Sequence, residues 1–200
     1  MRKRKLKVQP LALLFLLWML ISDRSGVGVM TVLAALLHES GHMLAAKCLH
    51  IPLRHLRMDL LGARLEVCGR MLSYSEEWLL CAAGPFSSLC FAALASPLWK
   101  ISSLAIAFSC ASVLLGALNL LPIRTFDGGR MLECFLSMFS GPRTVRRVML
   151  CCSFMFLFLL WAVAVYFLLR AGDGLSLFFF SMSLFSRFFE KEVKTEFILS

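Results

Sequence analysis

The chain has 200 residues, of which 60% are hydrophobic and 16% charged, and it carries a net charge of +9. Its mean hydropathy is +0.81. Soluble domains average about 45–50% apolar and about 25% charged residues, so this composition excludes a soluble globule and indicates a polytopic membrane protein. In such a protein, basic loops report orientation in the membrane, so we expect no nucleic-acid partner.

The chain contains about six apolar stretches that approach the roughly 20 residues needed to cross a bilayer. The predicted spans cover residues 8–22, 27–49, 78–98, 101–121, 147–169 and 173–187. The first has a basic start but no small-residue cleavage pattern after it, which favours an uncleaved helix over a signal peptide. We expect one domain over residues 1–200, without an appended regulatory domain. Its core is predicted at 27–135, with 8–22, 147–169 and 173–187 as flanking helices.

Basic residues are concentrated at the N-terminus and in segments 50–77 and 122–146. Positively charged loops stay on the cytoplasmic side, so six spans with both termini in the cytoplasm fit this distribution. Residues 51–67 differ from their surroundings, because apolar and polar residues partly alternate from Leu53 and Gly62 lies near the middle. This pattern indicates either a small β-hairpin at the cytoplasmic membrane surface or an amphipathic surface loop. The predicted fold class is therefore an all-α polytopic membrane protein with such a hairpin.

The stretch LLHESGHML, residues 36–44, contains the motif HExxH inside an apolar run. On a helix, His38 and His42 lie one turn apart on one face, where both can bind one Zn²⁺, and Glu39 can act as general base toward water. An accidental match is the alternative. It is weakened because ionisable residues within a membrane span are functional candidates by default, and because two of the four histidines fall in this motif.

Catalytic zinc usually has three protein ligands, so a third is expected. Glu66 follows His42 at a spacing not far from that of soluble zinc proteases, but it lies in the strand-like segment. Glu133 falls in a predicted new helix. Asp127, in NLLPIRTFDGGR, is the better candidate, because Pro122 and the following glycines break the backbone near the cytoplasmic face. For an isolated Asp beside Gly128, a helix N-cap would be the simpler interpretation.

HExxH followed by N-x-x-P-x-x-x-x-D-G resembles the site-2 protease family of intramembrane zinc metalloproteases, and most closely its small bacterial branch similar to stage IV sporulation protein FB. The matching positions are His38, Glu39, His42, Asn119, Pro122, Asp127 and Gly128, joined by AAGPFSSL at 82–89 and by the segment around Gly62. The resemblance implies a Zn²⁺ cofactor bound by His38, His42 and Asp127, with Glu39 as the base.

The same resemblance implies further roles. Asn119 would help to position the substrate or the developing oxyanion, and the hairpin would offer an edge strand to an unwound substrate. Residues expected at the substrate are Gly62, Pro122, Gly84 and Pro85. For Gly84 and its neighbours, close packing of membrane helices is the favoured alternative. Expected partners are the lipid bilayer, a membrane-tethered protein substrate such as a transcription- or sigma-factor precursor in sporulation, and regulatory membrane proteins, all in a bacterial cell membrane.

The chain departs from the family pattern at two places. Ser88 stands where G-P-x-x-N usually has Asn, and Thr125 and Phe126 replace a Pro-Leu pair. Neither change touches an expected ligand, so both are expected to affect substrate fit more than catalysis. Two other functions fit less well. A metal transporter would need more polar groups along its spans, and a catalytically silent homologue would usually have lost a ligand or the glutamate.

Overall fold

A computed structural model describes residues 7–8, 21, 23–51, 53–59, 62–67, 72–171 and 175–199, and describes side chains over 21, 23–51, 72–170 and 177–189. The predicted span at 8–22 therefore lies almost wholly outside the described residues. Within them the helices are α1 Val27–Cys48, α2 Tyr74–Ala95, α3 Ser103–Asn119, α4 Asp127–Phe139, α5 Pro142–Ala171 and α6 Leu175–Leu199. A 3₁₀ helix, Ser96–Lys100, follows α2.

Three short strands accompany the helices: β1 Lys7–Val8, β2 Leu53–Asp59 and β3 Gly62–Val67. β2 lies between the other two, parallel to β1 and antiparallel to β3. The β2–β3 register runs from Leu53 opposite Val67 to Asp59 opposite Gly62. A hairpin lying at a membrane surface, as the sequence suggests, stays a prediction.

Among the described residues, three helices are long and apolar enough to cross a membrane: Val27–Cys48, Tyr74–Lys100 and Pro142–Arg170. Ser103–Asn119 and Leu177–Phe189 are shorter apolar helices. These helices point to a membrane location, while the count of six spans stays a prediction.

Two helices begin earlier than the hydropathy predicts. α2 begins at Tyr74 rather than 78, because Ser73 and Glu76 form a capping box in which each side chain accepts a hydrogen bond from the other's backbone N–H. α5 begins at Pro142 rather than 147, because its first turns contain Arg143, Arg146 and Arg147. The first turns of both helices are polar, so a prediction based on apolar stretches leaves them out.

The described chain forms two compact units, Met1–Asn119 and Leu120–Ser200. In the first unit, α1, α2 and α3 pack against one another. α1 approaches α2 closely at Gly41, where an added Cβ would lie 2.6 Å from the Ala83 carbonyl oxygen and 2.7 Å from the Ser87 Cβ. Gly41 therefore sets how near the two backbones come, and the space beside it is filled by α2 rather than left open.

In the second unit, α5 packs against α4 and α6. Its buried residues Met149, Ser153, Leu157 and Ala164 follow the helical repeat along one face. The Ser153 hydroxyl accepts a hydrogen bond from the Arg124 backbone N–H at 3.1 Å. This contact ties the segment that precedes α4 to the middle of α5.

The N-terminus of α1 is held by a carboxylate that precedes it. Asp23 accepts hydrogen bonds from the Ser25 hydroxyl at 2.8 Å and from the backbone N–H groups of Ser25, Gly26 and Val29 at 2.9–3.1 Å. The Ser25 hydroxyl is the largest cause that lowers the pKa of Asp23 below its ordinary 3.8, and the backbone N–H groups add to it. Hydrogen bonds to a carboxylate favour its charged form, so this cap stays intact above that pH.

The C-terminus of α1 ends in a Schellman motif. The His50 N–H donates to the Lys47 carbonyl at 3.2 Å and the Ile51 N–H to the Ala46 carbonyl at 2.9 Å. Ile51 then packs with Ala46 and Leu80 in a buried cluster. His50 occupies the left-handed position with φ of 52°, which glycine usually fills. The exposed His50 thus ends the helix.

His50→Gly is expected to raise the free energy of unfolding by about 0.5–1 kcal/mol, because the left-handed backbone costs a residue with a Cβ roughly 1–2 kcal/mol and glycine recovers part of it. Thermal or denaturant unfolding in detergent measures the change. His50→Ala, which keeps the Cβ, is the control and should not stabilise the chain. Equal stability of the two variants would contradict the interpretation.

Candidate metal centre

His38 and His42 lie one turn apart on α1, as the motif predicts. Both side chains are buried, at 3% and 7% exposure. Their ring centroids are 5.0 Å apart and the rings are inclined at 78°. Burying two imidazoles in an apolar bundle is costly unless their nitrogens are satisfied, so the partners of the four ring nitrogens define the site.

One nitrogen of each ring is occupied by α2. His42 Nδ1 donates to the Leu80 carbonyl oxygen at 2.8 Å, and His38 Nδ1 lies 2.9 Å from the Ser88 hydroxyl. A carbonyl can only accept, so His42 donates from Nδ1, and in the neutral ring the lone pair is then on Nε2. Histidine ligands of metals typically have their second nitrogen hydrogen-bonded in this way. Nε2 is therefore the ligand atom that each ring offers.

Asp127 is the first residue of α4, in the helical turn where a carboxylate is favoured by the helix dipole. The N-cap position is filled by Phe126, so the interpretation of Asp127 as an N-cap is wrong by one residue. α3 ends at Asn119, and the connecting segment contains Pro122, which matches the predicted break in the backbone. Asp127 is half-buried.

His38 and His42 belong to the first compact unit and Asp127 to the second, and each of the three offers a possible ligand atom for a metal. Two imidazoles and a carboxylate are a common set of three protein ligands for catalytic zinc, which leaves a further position open. The burial of both histidines and the engagement of their Nδ1 atoms fit that use. Glu39, half-buried, follows His38 directly in the same helix.

The remaining predicted residues are placed differently. Glu133 forms an ion pair with Arg124 at 3.1 Å, so its carboxylate has another partner. Gly62 begins β3, and the side chain of Glu66 lies outside the part of the chain whose side chains are described. Asn119 is half-buried and its amide donates to the Leu115 carbonyl at 3.0 Å. Pro122 is half-buried, and Pro85 is fully buried within α2.

Gly84 lies directly against the histidine pair. A Cβ added there would contact His42 Nε2 and lie 2.7 Å from His38 Nε2. The absent side chain thus leaves room at the two nitrogens that can bind a metal. The sequence suggests substrate contact or helix packing for Gly84. The geometry adds a further reason for glycine at this position, which is the space that the two histidine rings need.

The sequence does not directly reveal the groups that contact His38 and His42 through their Nδ1 atoms. The Leu80 contact uses a backbone carbonyl, which no side-chain pattern reveals. Ser88 was assigned to substrate fit, but its hydroxyl contacts His38. One signal was available: residues 80, 84 and 88 are spaced four apart and share one face of a helix, and that face carries the small residue Gly84.

Comparisons with known proteins find two sequence matches and one structural match. Residues 83–163 match the model of peptidase family M50. The matched region includes Gly84, Ser88 and Asp127 but not the HExxH motif, so the two signals come from separate parts of the chain. The chain is also 30% identical over 122 residues to the protein named "Putative zinc metalloprotease Rip3" in two strains of Mycobacterium tuberculosis. That match covers 56% of this chain and 31% of the relative, so the chain spans about a third of the length of these relatives.

The structure resembles a site-2 protease from Methanocaldococcus jannaschii with a TM-score of 0.64 and 19% identity, over 92% of this chain and 89% of that one. At this identity the likeness shows a shared fold. The two sequence matches are thus to a peptidase family and to a protein named as a zinc metalloprotease. The family whose model matches part of the chain is peptidase family M50, and the structural match adds a shared fold.

Gly84→Ala is expected to weaken zinc binding by at least about tenfold, because its methyl group must displace one or both ligand rings. Zinc affinity is measured by competition with a chromophoric chelator on the purified chain. Gly141→Ala is the matched control, since a Cβ at Gly141 meets nothing within 4 Å. Unchanged affinity in Gly84→Ala would show that the rings do not bind metal at this place.

Proposed function

We propose that this chain is an intramembrane zinc metalloprotease that hydrolyses a peptide bond in a membrane-embedded or membrane-tethered protein. The observation that carries the proposal is the burial of His38 and His42 one turn apart on α1, each with its Nδ1 in contact with α2, and with Glu39 in the same helical turn. A metal held only for structure would need no neighbouring glutamate, and its site is usually closed by a fourth protein ligand.

Each residue has a separate task in this mechanism. His38, His42 and Asp127 would hold zinc, which when bound supplies a Lewis acid for the scissile carbonyl and makes water more acidic. Glu39 takes a proton from the attacking water as its oxygen bonds to the carbonyl carbon. Glu39 then delivers that proton to the amine nitrogen as the C–N bond breaks. Asn119 would help to position the substrate carbonyl.

The substrate and its surroundings belong to the same proposal. A helical substrate hides its peptide bonds, so it must unwind before cleavage. Pairing of the unwound segment with an edge strand of the hairpin around Gly62 supplies main-chain hydrogen bonds for that state. Pro122, Gly84 and Pro85 are the other residues proposed to act on substrate. Gly84 and Pro85 are buried in the described unit, which favours an indirect role through packing.

The cellular setting follows from the sequence. The concentration of basic residues at the N-terminus and in segments 50–77 and 122–146 supports six spans with both ends in the cytoplasm of a bacterial cell. The proposed substrate is a tethered transcription- or sigma-factor precursor, and the proposed branch is the one similar to stage IV sporulation protein FB. Other membrane proteins would regulate access.

Glu39→Gln is expected to keep zinc and to lower cleavage by at least about 100-fold, because the amide cannot take the proton from water. The test is co-expression of the unmodified chain or the variant with candidate membrane-tethered precursors, followed by detection of a shortened product. Zinc content of the purified variant is measured in parallel. Undiminished cleavage by Glu39→Gln would contradict the proposed protease mechanism.

Asp127→Ala and His38→Ala are expected to lose most bound zinc, because each removes one of three protein ligands. Metal analysis after purification gives the stoichiometry. Glu133→Ala is the control for Asp127→Ala, since Glu133 lies in the same helix and is paired with Arg124. Loss of zinc in the control and its retention in Asp127→Ala would assign the third ligand to Glu133 instead.

A further inference from the structure

The hydroxyl of Ser88 occupies an unusual position for a serine in a helix. Such a hydroxyl commonly bonds back to a carbonyl of the preceding turn, as the Ser87 hydroxyl does with the Gly84 carbonyl at 2.7 Å. Ser88 Oγ instead lies 2.9 Å from His38 Nδ1 on the neighbouring helix, and the residue is 1% exposed. A buried polar contact between two helices is costly to lose, so its chemistry needs an explanation.

We propose that Ser88 is a positioning residue that fixes the ring orientation and tautomer of His38, so that Nε2 faces the metal. This inference rests on the proposed function, because it assigns His38 as a ligand. When Nε2 binds a metal, Nδ1 carries the proton and, being buried, needs an acceptor. The Ser88 oxygen is at hydrogen-bonding distance for that role.

The serine is itself held in place from its other side. A Cβ added at Gly116 of α3 would lie 3.3 Å from the Ser88 Cβ and 3.4 Å from the Pro85 carbonyl oxygen. α3 therefore packs closely behind Ser88 and restricts its movement away from His38. The contact joins three helices, α1, α2 and α3, within one compact unit.

The chain contains a matched buried serine with no such task. Ser112 of α3 is also 1% exposed, and its hydroxyl has no hydrogen-bond partner among the described residues. Removing either hydroxyl changes one buried oxygen atom in the same unit. Ser112→Ala thus reports the packing effect alone, while Ser88→Ala reports packing together with the loss of the His38 contact.

Ser88→Ala is expected to weaken zinc binding by about 10- to 100-fold, the usual effect of removing a group that orients a metal ligand. The dissociation constant is measured by chelator competition on the purified full chain. Visible absorption of the Co²⁺-substituted protein gives a second readout, since a tilted imidazole shifts the ligand-field bands. Thermal unfolding of both metal-free variants confirms that they fold.

Three results are informative in different ways. Weaker zinc binding and altered Co²⁺ bands in Ser88→Ala, with Ser112→Ala like the unmodified chain, would support the positioning role. Unchanged zinc affinity and Co²⁺ bands in Ser88→Ala, or equal weakening in both variants, would overturn it while leaving the proposed function intact. An unmodified chain that binds no zinc would overturn the proposed function and this inference together.

Discussion

The constraint on which this structure depends is the need to satisfy two imidazoles buried side by side in an apolar bundle. Each ring has two nitrogens, and a buried nitrogen without a partner is costly. α2 supplies a partner for one nitrogen of each ring: the Leu80 carbonyl for His42 and the Ser88 hydroxyl for His38. Both Nε2 atoms lie beside Gly84, where an added Cβ would meet them.

One face of α2 provides the contacts to both histidine rings. Leu80, Gly84 and Ser88 follow one another at intervals of one turn, and they present a carbonyl, a gap and a hydroxyl to α1 in that order. The gap at Gly84 lies at both Nε2 atoms, between the two contacts that hold the rings. Gly41 on α1 and the small residues Ala83 and Ser87 on α2 bring the helices close enough for these contacts. Packing and metal binding thus use neighbouring residues of the same two helices.

Part of this arrangement can be predicted from the sequence. The helical repeat places His38 and His42 on one face, and Pro122 with the glycines after Asp127 indicates a chain break where a third ligand can approach. α1 and α3 fall within two residues of their predicted bounds at each end, because both are delimited by changes in hydropathy. The starts of α2 and α5 were placed too late, because capping residues and arginines extend a helix beyond its apolar part.

Other features lie beyond such patterns. The bond from His42 to the Leu80 carbonyl depends on how two helices cross, and a backbone acceptor leaves no trace in residue identity. The left-handed backbone conformation of the exposed His50 is not predictable from the sequence, since glycine is the residue that signals it. Ser88 stands where the family pattern has Asn, but serine and asparagine both offer an oxygen acceptor.

The two supports of the histidine pair differ in how they respond to mutation. Any residue at position 80 that keeps α2 helical presents the same carbonyl to His42, so that contact survives changes of side chain. The contact to His38 exists only while position 88 carries an acceptor of suitable length. Substitutions at position 88 can therefore remove the contact to His38, whereas substitutions at position 80 leave the contact to His42 in place. Over evolution, the orientation of the His38 ring can then change with the residue at position 88, while the His42 ring keeps its hydrogen bond.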